Sequence, residues 1–144
     1  MLSDTVWNDA YERAKRVAEE QELTLVDILL QSVEDRPSRH WRMEAQASRS
    51  DRLGCGEEAM EEEGEITLYL CARIGELSTP DALELCTAMS TAFRSQIAGV
   101  STLPAGLYYD GQSLFPPDPD TTGNWISIGL TIRYRYQNRI EPPA

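Results

Sequence analysis

The sequence predicts an α+β fold: a two-layer sandwich of two amphipathic helices on a mostly antiparallel sheet of four to five strands. Three observations carry that expectation. The segment NWISIGLTIRYRY, Asn124 to Tyr136, alternates apolar and polar residues over thirteen positions, the pattern of a long half-buried strand. Trp41 to Ser48 and Glu65 to Ile74 alternate in the same way. Two further segments repeat at three-to-four spacing, as helices do. Strands joined by loops favour antiparallel neighbours, and both helices need a face to cover.

The first helix is expected over Asp4 to Glu20. Val6, Trp7, Ala10, Tyr11, Ala14, Val17 and Ala18 fall on one stripe, with Arg13, Lys15 and Arg16 on the wet side. Ser3 or Asp4 can cap its first amides. Leu23 to Gln31 (LTLVDILLQ) is short, apolar and partly β-branched, so it reads as a strand, and the turn-rich SVEDRPSR ends it. In the next strand Trp41, Met43, Ala45 and Ala47 oppose Arg42, Glu44, Gln46 and Ser48.

Residues 49–64, RSDRLGCGEEAMEEEG, read as a long acidic loop, since the glutamates repel one another and the glycines loosen the chain. A loop of that length suggests an interaction arm or a mobile segment. Glu65 to Ile74 then aligns Ile66, Leu68, Leu70, Ala72 and Ile74. The second helix is expected over Pro80 to Ala98, capped by Thr79 and stopped by Gly99. Ala82, Cys86, Met89, Phe93 and Ile97 would face the sheet. Leu107 to Asp110 suits a short strand, and FPPDPDTTG a proline-broken loop. In the last strand Ile126, Ile128, Leu130, Ile132, Tyr134 and Tyr136 share a face, and residues 138–144 read as a frayed tail.

The 144 residues are expected to form one domain, 1–144. A chain of that size buries roughly 68–70% of its unfolded surface, enough to fold without metal or disulfide. No apolar run approaches the ~20 residues of a membrane span, and no secretory signal is expected at the start. Cys55, Cys71 and Cys86 are an odd number without CxxC spacing and read as reduced thiols of a cytosolic chain. A net charge of −11 argues against a nucleic-acid-binding surface. It suits solubility, or a surface that lets DNA pass without sticking.

Catalytic chemistry finds little footing. His40 is the only imidazole, and no GxSxG elbow accompanies it. The glutamate run lacks the alternating Asp/Asn and central glycine of a calcium loop. Asp118 and Asp120 could ligate a metal but are also ordinary loop residues. We expect no catalytic, cofactor or metal site. The better candidates are interfacial. Trp125, Arg133 and Arg135 share the polar face of the last strand, and tryptophan and arginine carry much interface energy. Glu57, Glu58, Glu61, Glu62 and Glu63 are candidate acceptors on a neighbouring subunit. The competing reading packs Trp125 under the 116–123 loop and pairs the arginines with Glu44 or loop carboxylates.

From about Leu25 onward the segments resemble a known family. The strand Trp41–Ser48 after Pro37, the segment GEITLYLCARIG with Gly64 and Gly75, the helix DALELCTAMSTAF ending at Phe93, the proline-rich loop and WISIGLTIRYRYQ are similar to the tail terminator proteins of long-tailed phages, the lambda-type group. The long glutamate segment departs from the family pattern. The resemblance implies a homohexameric ring that caps the tail tube, stops polymerisation of the major tail protein and offers a surface to the head–tail connector. It implies a virion location at the head-proximal end of the tail, assembly in the host cytoplasm, a lumen that DNA passes without specific binding, and no membrane. Alternatives are a head-completion or neck protein, and an acidic host-protein inhibitor of DNA-mimic type.

Overall fold

The computed structural model describes residues 2–26, 37–53, 59–94, 106–119 and 123–139. Helix α1 spans Asp4–Glu20, as its periodicity requires. The Ser3 hydroxyl accepts from the Val6 amide at 3.4 Å and so caps it. Val6, Ala10, Ala14, Val17 and Ala18 are buried. Arg13, expected on the wet side, is only 3% exposed. Its Nε donates to Asp9 at 2.8 Å, one turn back, and its Nη1 donates to the Ala92 carbonyl at 3.3 Å. The guanidinium also lies over the Tyr109 ring. Neutralised and hydrogen-bonded in this way, an arginine can sit inside.

Just past α1, Gln21 acts as a clamp. Its Oε1 accepts from the Trp41 indole at 2.8 Å, and its Nε2 donates to the Leu85 carbonyl at 3.0 Å. Strand β1, Thr24–Val26, follows and pairs in parallel with β2, Arg39–Leu53, with Leu25 opposite Trp41. Positions 27–31 of the expected first strand lie outside the described residues. This parallel pair sits within a sheet that is otherwise antiparallel, in keeping with the mostly antiparallel sheet expected.

The largest correction concerns residues 49–64. The described parts, 49–53 and 59–64, are not a loop: β2 runs on to Leu53, and β3, Ala59–Arg73, pairs beside it as an antiparallel arm. Residues 54–58, with Cys55, Glu57 and Glu58, lie outside the described residues. The expected repulsion is answered across the ladders. Arg49 pairs in register with Glu63, and β6 sets Arg135 opposite Glu63 and Arg133 opposite Glu65. A bulge between Ala47 and Arg49 absorbs the break in alternation. Ile74 lies in the turn after β3, 57% exposed rather than buried.

Helix α2 is Thr79–Ala92, shorter than expected. Ser78, not Thr79, is its cap, accepting from the Asp81 amide at 3.3 Å. Ala82, Cys86, Met89 and Phe93 are buried as predicted; Ile97 lies outside the described residues. Strand β4, Leu107–Leu114, is longer than expected, and the two-residue β5, Asp118–Pro119, forms inside the proline-rich segment. Strand β6, Trp125–Arg139, runs past the point where a frayed tail was expected.

The sheet has six strands in the order β1-β2-β3-β6-β4, with β5 also on β6. Both helices cover one face. Trp41, Met43, Ile66, Leu68, Leu70, Leu130, Ile132 and Tyr134 meet Val6, Ala10, Ala14, Met89 and Phe93 in a single core. Phe93 is 1% exposed and meets Tyr109 edge-on, ring centroids 5.1 Å apart. Phe93→Ala is expected to lower unfolding free energy by ~3–5 kcal/mol in urea titration. A loss below ~1 kcal/mol would show that the helix closes over the gap without a cavity. Burial also raises the Cys86 thiol to about 11 from its ordinary 9.0. At pH 8 its thiolate fraction then falls roughly a hundredfold, so alkylation of Cys86 in the native protein is expected to be correspondingly slow and to recover in denaturant.

Candidate assembly surface

The face of the sheet turned away from the helices carries the candidate residues. Parity in β6 puts Ile128, Leu130, Ile132, Tyr134 and Tyr136 inward and Trp125, Ser127, Gly129, Thr131, Arg133 and Arg135 outward, as the alternation predicts. The three site residues on β6 do not act as one patch. Trp125 sits at one end of the strand, against the edge of the His40 ring with centroids 5.4 Å apart. Arg73 lies over its indole at 5.2 Å. His40 is itself buried, and its Nδ1 is 3.0 Å from the Pro37 carbonyl, which makes it part of the packing around Trp125.

Arg133 and Arg135 lie toward the other end, in an open notch shared with Glu63, Glu65, Asp110 and Gly111. Arg135 Nε meets Asp110 at 3.3 Å, and both side chains are about half exposed. Such a pair contributes roughly 0–1 kcal/mol and is easily exchanged for another partner. The glutamates expected to serve a neighbouring subunit therefore divide. Glu61, Glu63 and Glu65 are on the arginine face, interleaved with bases of the same chain.

Glu62 points the other way. It is 6% exposed. Tyr134 donates its hydroxyl to Glu62 Oε2 at 2.6 Å, and the Ser3 amide donates to Oε1 at 3.1 Å. A buried carboxylate thus sits at the start of α1, where the helix dipole favours it, and ties the arm to the helix. Sequence reasoning placed Glu62 among solvated charges. Counting back by twos from Ile66 would have put it on the inward face.

Between the two ends the outer face is aromatic. The Arg42 guanidinium lies 4.3 Å from the Tyr69 ring centroid, and Arg42 also pairs with Glu44. Thr67 and Thr131 share a hydroxyl contact at 3.2 Å across β3 and β6. Gly129 lies between Tyr69 and Phe115: a Cβ there would stand 3.2 and 3.3 Å from their rings. Phe115 is half exposed. Among the described residues no group of three His, Cys, Asp or Glu stands close enough to hold a metal, and no helix is long and apolar enough to cross a membrane.

No family model matches the chain, and no curated protein matches it. Solved structures share its fold from end to end. One, a protein designated only by a sequence label, aligns with a TM-score of 0.65 at 13% identity, over 98% of this chain and 99% of that one. Another is a chain of the virion of a native gene transfer agent particle, with a TM-score of 0.59 at 11% identity, over 90% of this chain and 92% of that one. At these identities the likeness is one of fold.

The Glu62 knot has a measurable signature. Burial, then the Glu62 carboxylate, pushes the Tyr134 hydroxyl well above its ordinary 10.0; burial and Asp9 do the same to Tyr109. The folded state holds both phenols neutral. The stability this carries is complete below about pH 10 and is lost as pH rises toward the raised values. Thermal melts are expected to fall above about pH 10. Tyr134→Phe should cost ~1–3 kcal/mol at neutral pH, by leaving a buried carboxylate short of a donor, and should make the alkaline fall shallower. An unchanged neutral melt would show that Glu62 finds water instead.

Proposed function

We propose that the chain is a structural subunit of a tailed-phage or phage-like virion, and within it the tail terminator. In this reading it forms a ring, caps the tail tube, stops its polymerisation and presents a surface for head joining. The observation that carries the reading is the fold shared with a chain of a gene transfer agent virion over 90% of this chain. The resemblance of GEITLYLCARIG, Phe93 and the last strand to lambda-type terminators narrows it from virion subunit to terminator. The outer face supports it further, since tryptophan, tyrosine and arginine on a sheet face that no described helix covers are the residues interfaces use.

The role is mechanical, with no catalytic step and no cofactor. Partners are further copies of the chain, the major tail tube protein and the connector at the head. The net charge of −11 lets DNA traverse the ring without adhering. The inhibitor alternative loses support, because Glu63 and Glu65 interleave with arginines instead of forming bare rows of carboxylates. A head-completion role draws on the same fold likeness and differs in phenotype.

Loss of the gene is expected to give overlong tails that fail to join heads, seen by electron microscopy. Tails of normal length beside unjoined heads would move the protein to the neck and overturn the terminator assignment. Arg133→Glu with Arg135→Glu is expected to leave the melt of the chain nearly unchanged while abolishing tube capping. Normal capping by that double variant would reduce the arginine face to a solvated surface.

A further inference from the structure

We propose that Gly111 is a positioning residue: its missing side chain seats the Arg133 guanidinium on β4, apart from Glu65, and so keeps that charge open to a carboxylate on the next component of the assembly; this rests on the capping reading above.

Gly111 lies within β4, where glycine is disfavoured, so its presence asks for a reason. The backbone supplies none. Among the described glycines, positive φ occurs at Gly75, Gly106 and Gly123, not at Gly111. The reason is a neighbouring side chain. A Cβ at 111 would stand 2.6 Å from Arg133 Nη2 and 3.5 Å from Cζ and Nε. The guanidinium fills the space that a side chain at 111 would need. The register of β4 on β6 shifts between Tyr109 and Gln112, so Asp110 and Gly111 form a bulge opposite that arginine. Bulges re-aim side chains in this way.

The register shows what the seat prevents. Glu65 lies directly opposite Arg133 on β3. Opposite charges facing each other across two strands ordinarily pair. Among the described residues, however, the Arg133 side chain forms no ion pair, with Glu65 or with any other carboxylate. Its neighbour Arg135 is engaged by Asp110 at 3.3 Å. The notch therefore holds one paired arginine and one kept in reserve. Gly111, Arg133 and Glu65 are all exposed, so a partner can reach them. An arginine in reserve can take a partner's carboxylate through two parallel hydrogen bonds.

A methyl group at 111 would remove the seat. The guanidinium ends a flexible side chain, so it moves and the strand does not. Leaving β4, it swings toward β3 and meets Glu65. That exposed pair is weak by itself. It is also intramolecular, so it competes with the partner at the high effective concentration of a tethered group.

The test has two readouts on the full chain. The first needs no partner: exchange of the Arg133 Nε–H with water, followed by NMR and assigned by its loss in Arg133→Lys. Gly111→Ala is expected to slow this exchange several-fold, and adding Glu65→Gln to reverse the slowing. Glu65→Gln alone is expected to leave it unchanged. The second readout is capping of tail tubes. Gly111→Ala is expected to weaken capping about tenfold or more, as Arg133→Ala does. The two together are expected to be no worse than either, because both act through one guanidinium. Gly111→Ala with Glu65→Gln is expected to recover most of the loss, and the melts of all these variants to stay near the wild type. Unchanged exchange in Gly111→Ala would overturn the seat. Slowed exchange with normal capping would overturn the inference and leave the terminator reading standing. Loss of capping that Glu65→Gln does not recover would also overturn it. A wild type that caps no tube would overturn both.

Discussion

The structure depends on β3 being hydrogen-bonded on both sides along its whole length. Ala59 to Arg73 pairs with β2 on one side and with β6 on the other. Because side chains alternate along a strand, that double register decides every assignment at once. Ile66, Leu68 and Leu70 go to the core; Glu61, Glu63 and Glu65 go to the arginine face; Glu62 goes inside. A slip of one residue would turn these three glutamates beneath the helices and the three core residues to water. Gly64 guards the register. A Cβ there would stand 2.3 Å from the Gln46 carbonyl and 2.7 Å from the Tyr134 hydroxyl, so only glycine lets the three strands approach.

Two buried polar knots then fix α1 on the sheet. At its start, Ser3 and Tyr134 share the Glu62 carboxylate. One turn further on, Asp9 accepts from Arg13 at 2.8 Å and from Tyr109 at 2.5 Å, joining α1 to β4, while Arg13 reaches the end of α2. Buried charges of this kind add little net stability over apolar packing. They are costly to break singly, so they hold the helix in one position. Here that position keeps both described helices on one face of the sheet, and among the described residues no helix covers the other.

Function, in the reading advanced above, follows from that one-sided covering. A sheet with helices on both faces would have only its edges to offer. This one offers a face bearing Tyr69, Phe115, Arg133 and Arg135. Such a face is suited to contact with another component of an assembly. Weak surface pairs such as Arg135 with Asp110 can be traded for intermolecular ones at little cost.

The sequence by itself determined the fold class, α1, the inward stripe of α2 up to Phe93, and both faces of β6, because burial imposes a period that a single segment displays. It also marked Trp125, Arg133 and Arg135 as outward. It misplaced Arg13, Glu62 and the strand residues 49–53 and 59–64 for one reason: a charge looks solvated until its partner is known. The partners lie far along the chain. Tyr134 is 72 residues from Glu62, and Tyr109 is 100 from Asp9. Only the tertiary structure brings them together, and only those pairings turn a run of glutamates from a loop into the central ladder of the sheet.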